Sequence, residues 1–217
     1  MQQVHPKFNY DDLETGDLLL FHWTGKCNTP LNCCLTFYGK LISCFTKSKY
    51  THSAIVIRNP PWRTDLKGLY ILESSLETFP DAEDNEIKFG VQLVDFKKMI
   101  DDFQGDIYVR KLICKRDKNF NDNLIKAQSI VHNRSYDTIV TDYIKAGFKI
   151  YKGKVQRLKT FYCSSLVIFI YIKLGFLDKN LPWSVLAPSV LGTEPGIKHL
   201  TFKNCTLKSE IKLNKFS

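Results

Sequence analysis

Apolar residues in the first half of the chain are grouped in short runs of strand length. Each run is bounded by turn residues, as Asn59-Pro60-Pro61 bounds the second, and the last run alternates as a half-buried strand does. The runs are residues 18–23, 51–57, 68–75, 90–94 and 106–112. The pattern therefore predicts five strands, with 68–75 antiparallel to 51–57 across a hairpin loop.

The remaining periodic stretches have the spacing of helices. They are residues 31–45, 95–103 as a short helix or a turn, 121–132, and 136–150 as a helical or partly helical stretch. A more apolar stretch that begins at Cys163 follows them. After a loop at 181–192, the basic and alternating end of the chain predicts an edge strand with a loose end. One strand, a helix, four strands and then helices indicate a single α+β domain over 1–197 and a basic C-terminal tail at 198–217.

The stretch around Cys163 is the most informative part of the sequence. Residues 166–172 are apolar and Gly175 follows them, which predicts a buried helix with a glycine C-cap and with Cys163 in its first turn. The helix dipole and the backbone N–H groups of a first turn favour a thiolate, so they can lower a cysteine pKa from about 8.5. Cys163 is therefore a candidate nucleophile, and the alternative is a buried cysteine that only packs.

Two titratable residues occur in the predicted strands. His52 begins an Ile- and Val-rich strand, where an imidazole is costly unless it is hydrogen-bonded, and Glu73 ends the neighbouring strand. If these strands pair, both side chains can lie on one face of the sheet. A helix packed across that face would then bring Cys163 toward His52. The alternatives are a histidine satisfied at the strand edge and a solvent-facing glutamate.

The seven cysteines favour a reducing compartment. Their number is odd, and the polar, acidic N-terminus lacks the features of a signal peptide, so we expect a cytoplasmic protein. Four of them are crowded together, but none forms a Cys-x-x-Cys pair, so the sequence predicts neither a zinc site nor any other metal or cofactor. These are Cys27, Cys33, Cys34 and Cys44.

The formal net charge of +9 is distributed unevenly along the chain. Six basic residues and no acidic ones occur between 145 and 159, namely Lys145, Lys149, Lys152, Lys154, Arg157 and Lys159. Such a segment suggests attraction to an anionic membrane surface or to nucleic acid, and a solvated basic face is the alternative. The apolar runs are shorter than the roughly twenty residues of a membrane span, so we expect a soluble chain.

Four segments occur in a characteristic order: Gly16 to Phe21 (GDLLLF), Tyr50 to Val56 (YTHSAIV), Leu72 to Ser74 (LES) and Tyr162 to Val167 (YCSSLV). Together they resemble the circularly permuted NlpC-type branch of papain-like cysteine proteins, which includes YiiX/YebB-like bacterial proteins and relatives in large DNA viruses, notably a poxvirus family. The order histidine, glutamate, cysteine is that of the permuted branch. Over residues 13–191, the resemblance implies an antiparallel sheet packed against helices, with the nucleophile at a helix N-terminus.

The resemblance also implies a role for each residue of a triad. The Cys163 thiolate attacks a carbonyl, His52 relays protons and Glu73 orients His52. The backbone N–H of Cys163 is a candidate oxyanion donor, because it lies at a helix N-terminus.

Further candidate residues flank the triad. His22 and Trp23, at the end of the first strand, are candidates for the second oxyanion donor. Tyr162 and Tyr136 are candidates for shaping the substrate pocket, with packing as the alternative for both.

The substrate class stays open at this point. Members of the superfamily are linked to peptidoglycan peptides, to lipid acyl transfer and to other amide bonds. The basic segment and the aromatic content favour an acyl lipid, with a peptide amide second and a cell-wall peptide less expected. The alternatives to an enzyme are a non-catalytic binding or virion-assembly module and, less favoured, a nucleic-acid binder. If the protein is viral, it could be associated with the virion.

Overall fold

The computed structural model describes residues 8–27, 43, 48–75, 79–136 and 158–216. The strands in these ranges are β1 Leu18–Trp23, β2 His52–Arg58, β3 Leu69–Ser75, β4 Gly90–Asp95, β5 Gly105–Ile113, β6 Ser135–Tyr136, β7 Thr160–Phe161 and β8 Thr206–Lys212. The α-helices are α1 Phe96–Asp102, α2 Lys118–Val131 and α3 Cys163–Lys173.

The strands predicted from the apolar runs are confirmed as β1 to β5, each within one residue at either end. The helices expected at 95–103, at 121–132 and after Cys163 are confirmed as α1, α2 and α3. Nearly all residues of the helices predicted at 31–45 and 136–150 lie outside the described residues. Tyr136, which the second prediction included, instead lies in β6.

The eight described strands form one sheet in the order β7-β6-β4-β3-β2-β1-β5-β8. Neighbouring strands are antiparallel except β6 and β7, which are parallel. Strands β2 and β3 are antiparallel as predicted, with Ile55 opposite Leu72. The combination of this sheet with helices confirms the α+β class.

Apolar side chains fill both faces of the sheet. On one face, α2 and α3 pack against residues that include Leu20, Ile55 and Leu72. On the other face, α1 packs against residues that include Phe21 and Val56. Because successive strand residues point to opposite faces, these two cores explain why β1 and β2 read as continuous apolar runs.

The end of α3 has the predicted glycine cap. Gly175 has φ of +80°, in the left-handed region that favours glycine. Its N–H bonds to the carbonyl of Ile172 at 3.0 Å, and the N–H of Phe176 bonds to that of Tyr171 at 2.9 Å. These bonds satisfy carbonyl groups that the helix end would otherwise leave unpaired.

The C-terminal segment belongs to the domain, which corrects the boundary that we expected at 197. Strand β8 is the edge strand, paired with β5. Beyond it, Leu213 is buried in the α1 core, and the Phe216 ring stacks on Tyr10 with 4.1 Å between centroids. These contacts hold the end of the chain, which we had expected to be loose, against the sheet.

Across the residues that the structure describes, no helix is both long enough and apolar enough to cross a membrane.

Candidate active site

His52 and Glu73 are joined by a short hydrogen bond. His52 is the first residue of β2 and Glu73 lies near the end of β3, diagonally opposite on the same face of the sheet. The distance from His52 Nε2 to Glu73 Oε2 is 2.7 Å. The Glu73 side chain is fully buried, whereas that of His52 is 15% exposed. A buried carboxylate needs such a partner, because burial without one disfavours its charge.

Gln92 holds the other oxygen of the Glu73 carboxylate. The two residues are directly opposite each other in β3 and β4, and Gln92 Nε2 donates to Glu73 Oε1 at 2.9 Å. Gln92 is 1% exposed. The sequence analysis gave this residue no function, although a lone amide within the apolar strand Val91–Val94 was a signal that could have identified it.

Cys163 meets His52 at the start of α3. Its side chain is buried, with 1% exposed, and hydrogen-bonds to the His52 ring. Because His52 Nε2 bonds to Glu73, Nδ1 is the ring nitrogen that is left for the thiol. Burial lowers the pKa of His52, but the charge and hydrogen bond of Cys163, followed by those of Glu73, raise it well above its usual 6.5. The structure thus brings together the three residues predicted to form a triad.

The first turn of α3 is fixed by its own serines. The N–H of Tyr162 donates to Ser165 Oγ at 2.9 Å, and that hydroxyl donates to the Tyr162 carbonyl at 2.8 Å. The hydroxyl groups of Tyr162 and Ser164 both donate to the Leu186 carbonyl, at 3.1 and 2.7 Å. Tyr162 itself is 3% exposed. The Tyr162 side chain is therefore buried, and its hydrogen bond to Leu186 orients the start of the helix.

Helix α3 packs on the face opposite to the one we expected. Its core contacts are with the side of the sheet that bears Ile55 and Leu72, whereas His52 and Glu73 lie on the side of Phe21. His52 is the first residue of β2. Cys163 reaches it because α3 begins beside this N-terminal end of the strand. Ser74 fixes this approach, since its hydroxyl donates to the Phe161 carbonyl at 2.6 Å.

The two candidates for a second oxyanion donor lie in different surroundings. Trp23 is on the His52 face of the sheet, where its ring packs edge-on against Phe103 with 5.6 Å between centroids. His22 points to the opposite face of β1, with its Nδ1 atom 3.7 Å from Asp106 Oδ2. The structure does not bring His22 together with His52, and it assigns no second donor. Tyr136 is 8% exposed and pairs with β7.

Most of the predicted basic segment lies outside the described residues. Lys145, Lys149, Lys152, Lys154 and Arg157 fall there, and only Lys159 is described, as an exposed residue.

Three of the seven cysteines, Cys33, Cys34 and Cys44, lie outside the described residues. Cys27 is disulfide-bonded, a state that differs from the reduced thiols expected in a reducing compartment. Within the described ranges, His, Cys, Asp and Glu side chains form no group of three or more that could hold a metal ion.

Comparisons with known proteins show a distant structural similarity. No protein-family model matches the chain, and no curated protein matches it. Among solved structures, the chain is similar to the metalloprotein yiiX (DUF1105) from Escherichia coli O157:H7, at 16% identity and a TM-score of 0.46. The alignment covers 94% of this chain and 97% of that one. The YiiX-like relationship, the papain-like assignment and the viral relatives stay predictions.

Proposed function

We propose that the protein is a cysteine-dependent hydrolase or acyltransferase with a permuted papain-like domain, acting on an amide, ester or thioester bond. The observation that supports this is the His52 side chain, which bonds to the Glu73 carboxylate on one side and to the Cys163 thiol on the other. A nucleophile, its base and a group that orients the base are the parts that acyl transfer through cysteine needs.

The reaction begins with the proton of Cys163 on His52. The thiolate attacks the carbonyl carbon of the substrate, and the resulting oxyanion accepts a hydrogen bond from the N–H of Cys163, the first residue of α3. The imidazolium then protonates the leaving group, and a thioester forms at Cys163. In the second step, neutral His52 takes a proton from the acceptor, which attacks the thioester and regenerates the thiol.

Glu73 and Gln92 position the base. The Glu73 carboxylate accepts from Nε2–H of His52, which selects the tautomer that directs Nδ1 to the sulfur, and its charge stabilises the imidazolium. Gln92 fixes the carboxylate in turn. Together these two contacts keep the ring in the orientation that proton transfer requires.

The substrate class favoured by this proposal is an acyl lipid, with a peptide amide second. The basic residues between 145 and 159 support the first choice, since they would attract the surface of an anionic membrane. The acceptor in the second step is water for a hydrolase and an amine or a lipid hydroxyl for a transferase. Although the similar yiiX protein is described as a metalloprotein, no step of the proposal passes through a metal.

The test is the pH dependence of iodoacetamide labelling at Cys163, read by peptide mass spectrometry. Burial of Cys163 slows labelling at every pH, so the apparent pKa of the profile is more informative than the rate. We expect an apparent pKa below about 7. Cys205 is the internal control, because burial and the charge of Cys114 raise its pKa to about 11.

The variants His52→Ala and Glu73→Gln should each move the Cys163 profile to higher pH. An apparent pKa at or above about 8.5 in the wild type would contradict the proposal, as would a native Cys163 that does not label at any pH. In either case the thiol is a packing residue, and a non-catalytic binding module is the better description.

A further inference from the structure

Two free thiols lie one step beyond the end of the same strand pair. In β5 and β8, Leu112 is opposite Leu207, and Ile113 is opposite Thr206. The next step of this antiparallel register places Cys114 opposite Cys205. Both are free and half-buried.

The spacing of this position suits a covalent link. Opposite Cα atoms in an antiparallel pair are about 4.5 or 5.5 Å apart, and disulfides span about 4.4 to 6.8 Å. Both spacings therefore allow a disulfide without movement of the backbone.

The surroundings of the two side chains agree with the register. Leu112 and Leu207 belong to the core under α2 and α3, and Cys114 and Cys205 pack against this same core. Both thiols are also close to Tyr171. Burial raises the pKa of Tyr171, and so does the negative charge of nearby groups, which include the thiolate forms of Cys205 and Cys114. The two sulfur atoms are thus on the same face, near one side chain.

We propose that Cys114 and Cys205 form a cross-strand disulfide when the protein meets a small disulfide oxidant such as oxidised glutathione. One thiolate attacks the oxidant, which gives a mixed disulfide and releases one thiol. The second thiolate then attacks the protein sulfur of that mixed disulfide and releases another thiol. The pair loses two protons and two electrons, and the oxidant is reduced to two thiols.

A cavity beside Cys205 gives the oxidant access, and the position of the link in the chain predicts that it stabilises the fold. Cys205 and Thr206 line an open cavity of about 280 Å³ at the edge of the sheet, which can admit a small reagent. The link would also join the edge strand β8 to β5 across a long loop that contains α2 and α3. Closing a long loop restricts the unfolded chain, so the oxidised protein is the more stable form.

The experiment compares the full-length protein after treatment with oxidised glutathione and after treatment with dithiothreitol. Free thiols are alkylated, and the digest is analysed without reduction. We expect a linked peptide that contains Cys114 and Cys205, together with a Tm at least about 5 °C higher in the oxidised sample.

Three variants make the result specific. Cys114→Ser and Cys205→Ser should each abolish the linked peptide and reduce the shift in Tm to the part that reduction of the Cys27 disulfide causes, whereas Cys163→Ser should keep the linked peptide and the full shift. Glutathione on either cysteine without the link, a link to a different cysteine, or unmodified thiols would overturn the proposal. Because the wild-type peptide map needs no variant, poor folding of one variant does not prevent the test. The outcome is also independent of the proposed chemistry at Cys163.

Discussion

The hydroxyl of Ser74 donates a hydrogen bond of 2.6 Å to the carbonyl of Phe161, two residues before Cys163. Ser74 directly follows Glu73, so two consecutive residues of β3 contact the two halves of the candidate site from opposite faces of the sheet. Glu73 holds His52, and Ser74 holds the segment that leads into α3.

We expect Ser74→Ala to lower the free energy of unfolding by about 1–3 kcal/mol, because it leaves a buried carbonyl without its partner. The matched control is Ser129→Ala, since the exposed Ser129 hydroxyl bonds to the Lys126 carbonyl at 2.9 Å within α2. Water can replace that bond, so the control should cost less than about 0.5 kcal/mol. Urea unfolding measures both variants, and equal losses would show that the Ser74 contact does not hold the segment.

The raised pKa of His52 makes stability depend on pH. Because the folded state holds this proton more tightly than the unfolded state, the stabilisation is fully present below about pH 6.5 and is lost as pH rises through the folded pKa. The charge of Glu73 and its hydrogen bond to His52 both raise this pKa. Glu73→Gln removes the charge and changes the hydrogen bond. We therefore expect NMR titration of the His52 ring to give a lower pKa in this variant and urea unfolding to depend less on pH.

The control for that titration is Glu86→Gln, which removes the same charge from an exposed position. It should leave the His52 titration unchanged. If Glu73→Gln and Glu86→Gln have the same effect on the ring, the contact between His52 and Glu73 does not determine its pKa.

Gln92 is expected to contribute both to stability and to the position of Glu73. Gln92→Leu leaves Glu73 Oε1 without its buried donor, so we expect a loss of about 1–3 kcal/mol in the free energy of unfolding. The titration of His52 should change as well, which would not follow from loss of packing alone. The comparison is Gln128→Leu, because Gln128 is also buried but bonds to the partly exposed His132, at 3.1 Å.

For Gln128→Leu we expect a loss smaller than about 1 kcal/mol and an unchanged His52 titration. A Gln92→Leu protein with wild-type stability and wild-type titration would remove Gln92 from the site.

The C-terminal segment supplies a prediction about the extent of the domain. Leu213 is 6% exposed and its N–H bonds to the Ile107 carbonyl at 2.8 Å. Leu213→Ala should cost about 2–5 kcal/mol, because it leaves a cavity in the core. Ile211→Ala, at a side chain that is 46% exposed, should cost less than about 1 kcal/mol. Thermal unfolding of the two variants measures both losses. If the C-terminal segment were a loose tail, both losses would be small.

Local patterns were enough to predict most of the described elements. The runs bounded by turn residues predicted β1 to β5, and the apolar stretch that ends at Gly175 predicted α3 with Cys163 in its first turn. These predictions succeed because strand and helix periods, turns and caps depend on residues close together in the chain.

The sequence by itself determined that a cysteine begins a buried helix and that a histidine and a glutamate lie in neighbouring strands. Only the tertiary structure decided which faces meet. Strand β2 is buried on both sides, so its residues show no polar alternation that would distinguish the face of His52 from the face that packs against α3. The contacts of Gln92, Ser74 and Cys205 depend on strand register between distant segments, which no local pattern encodes.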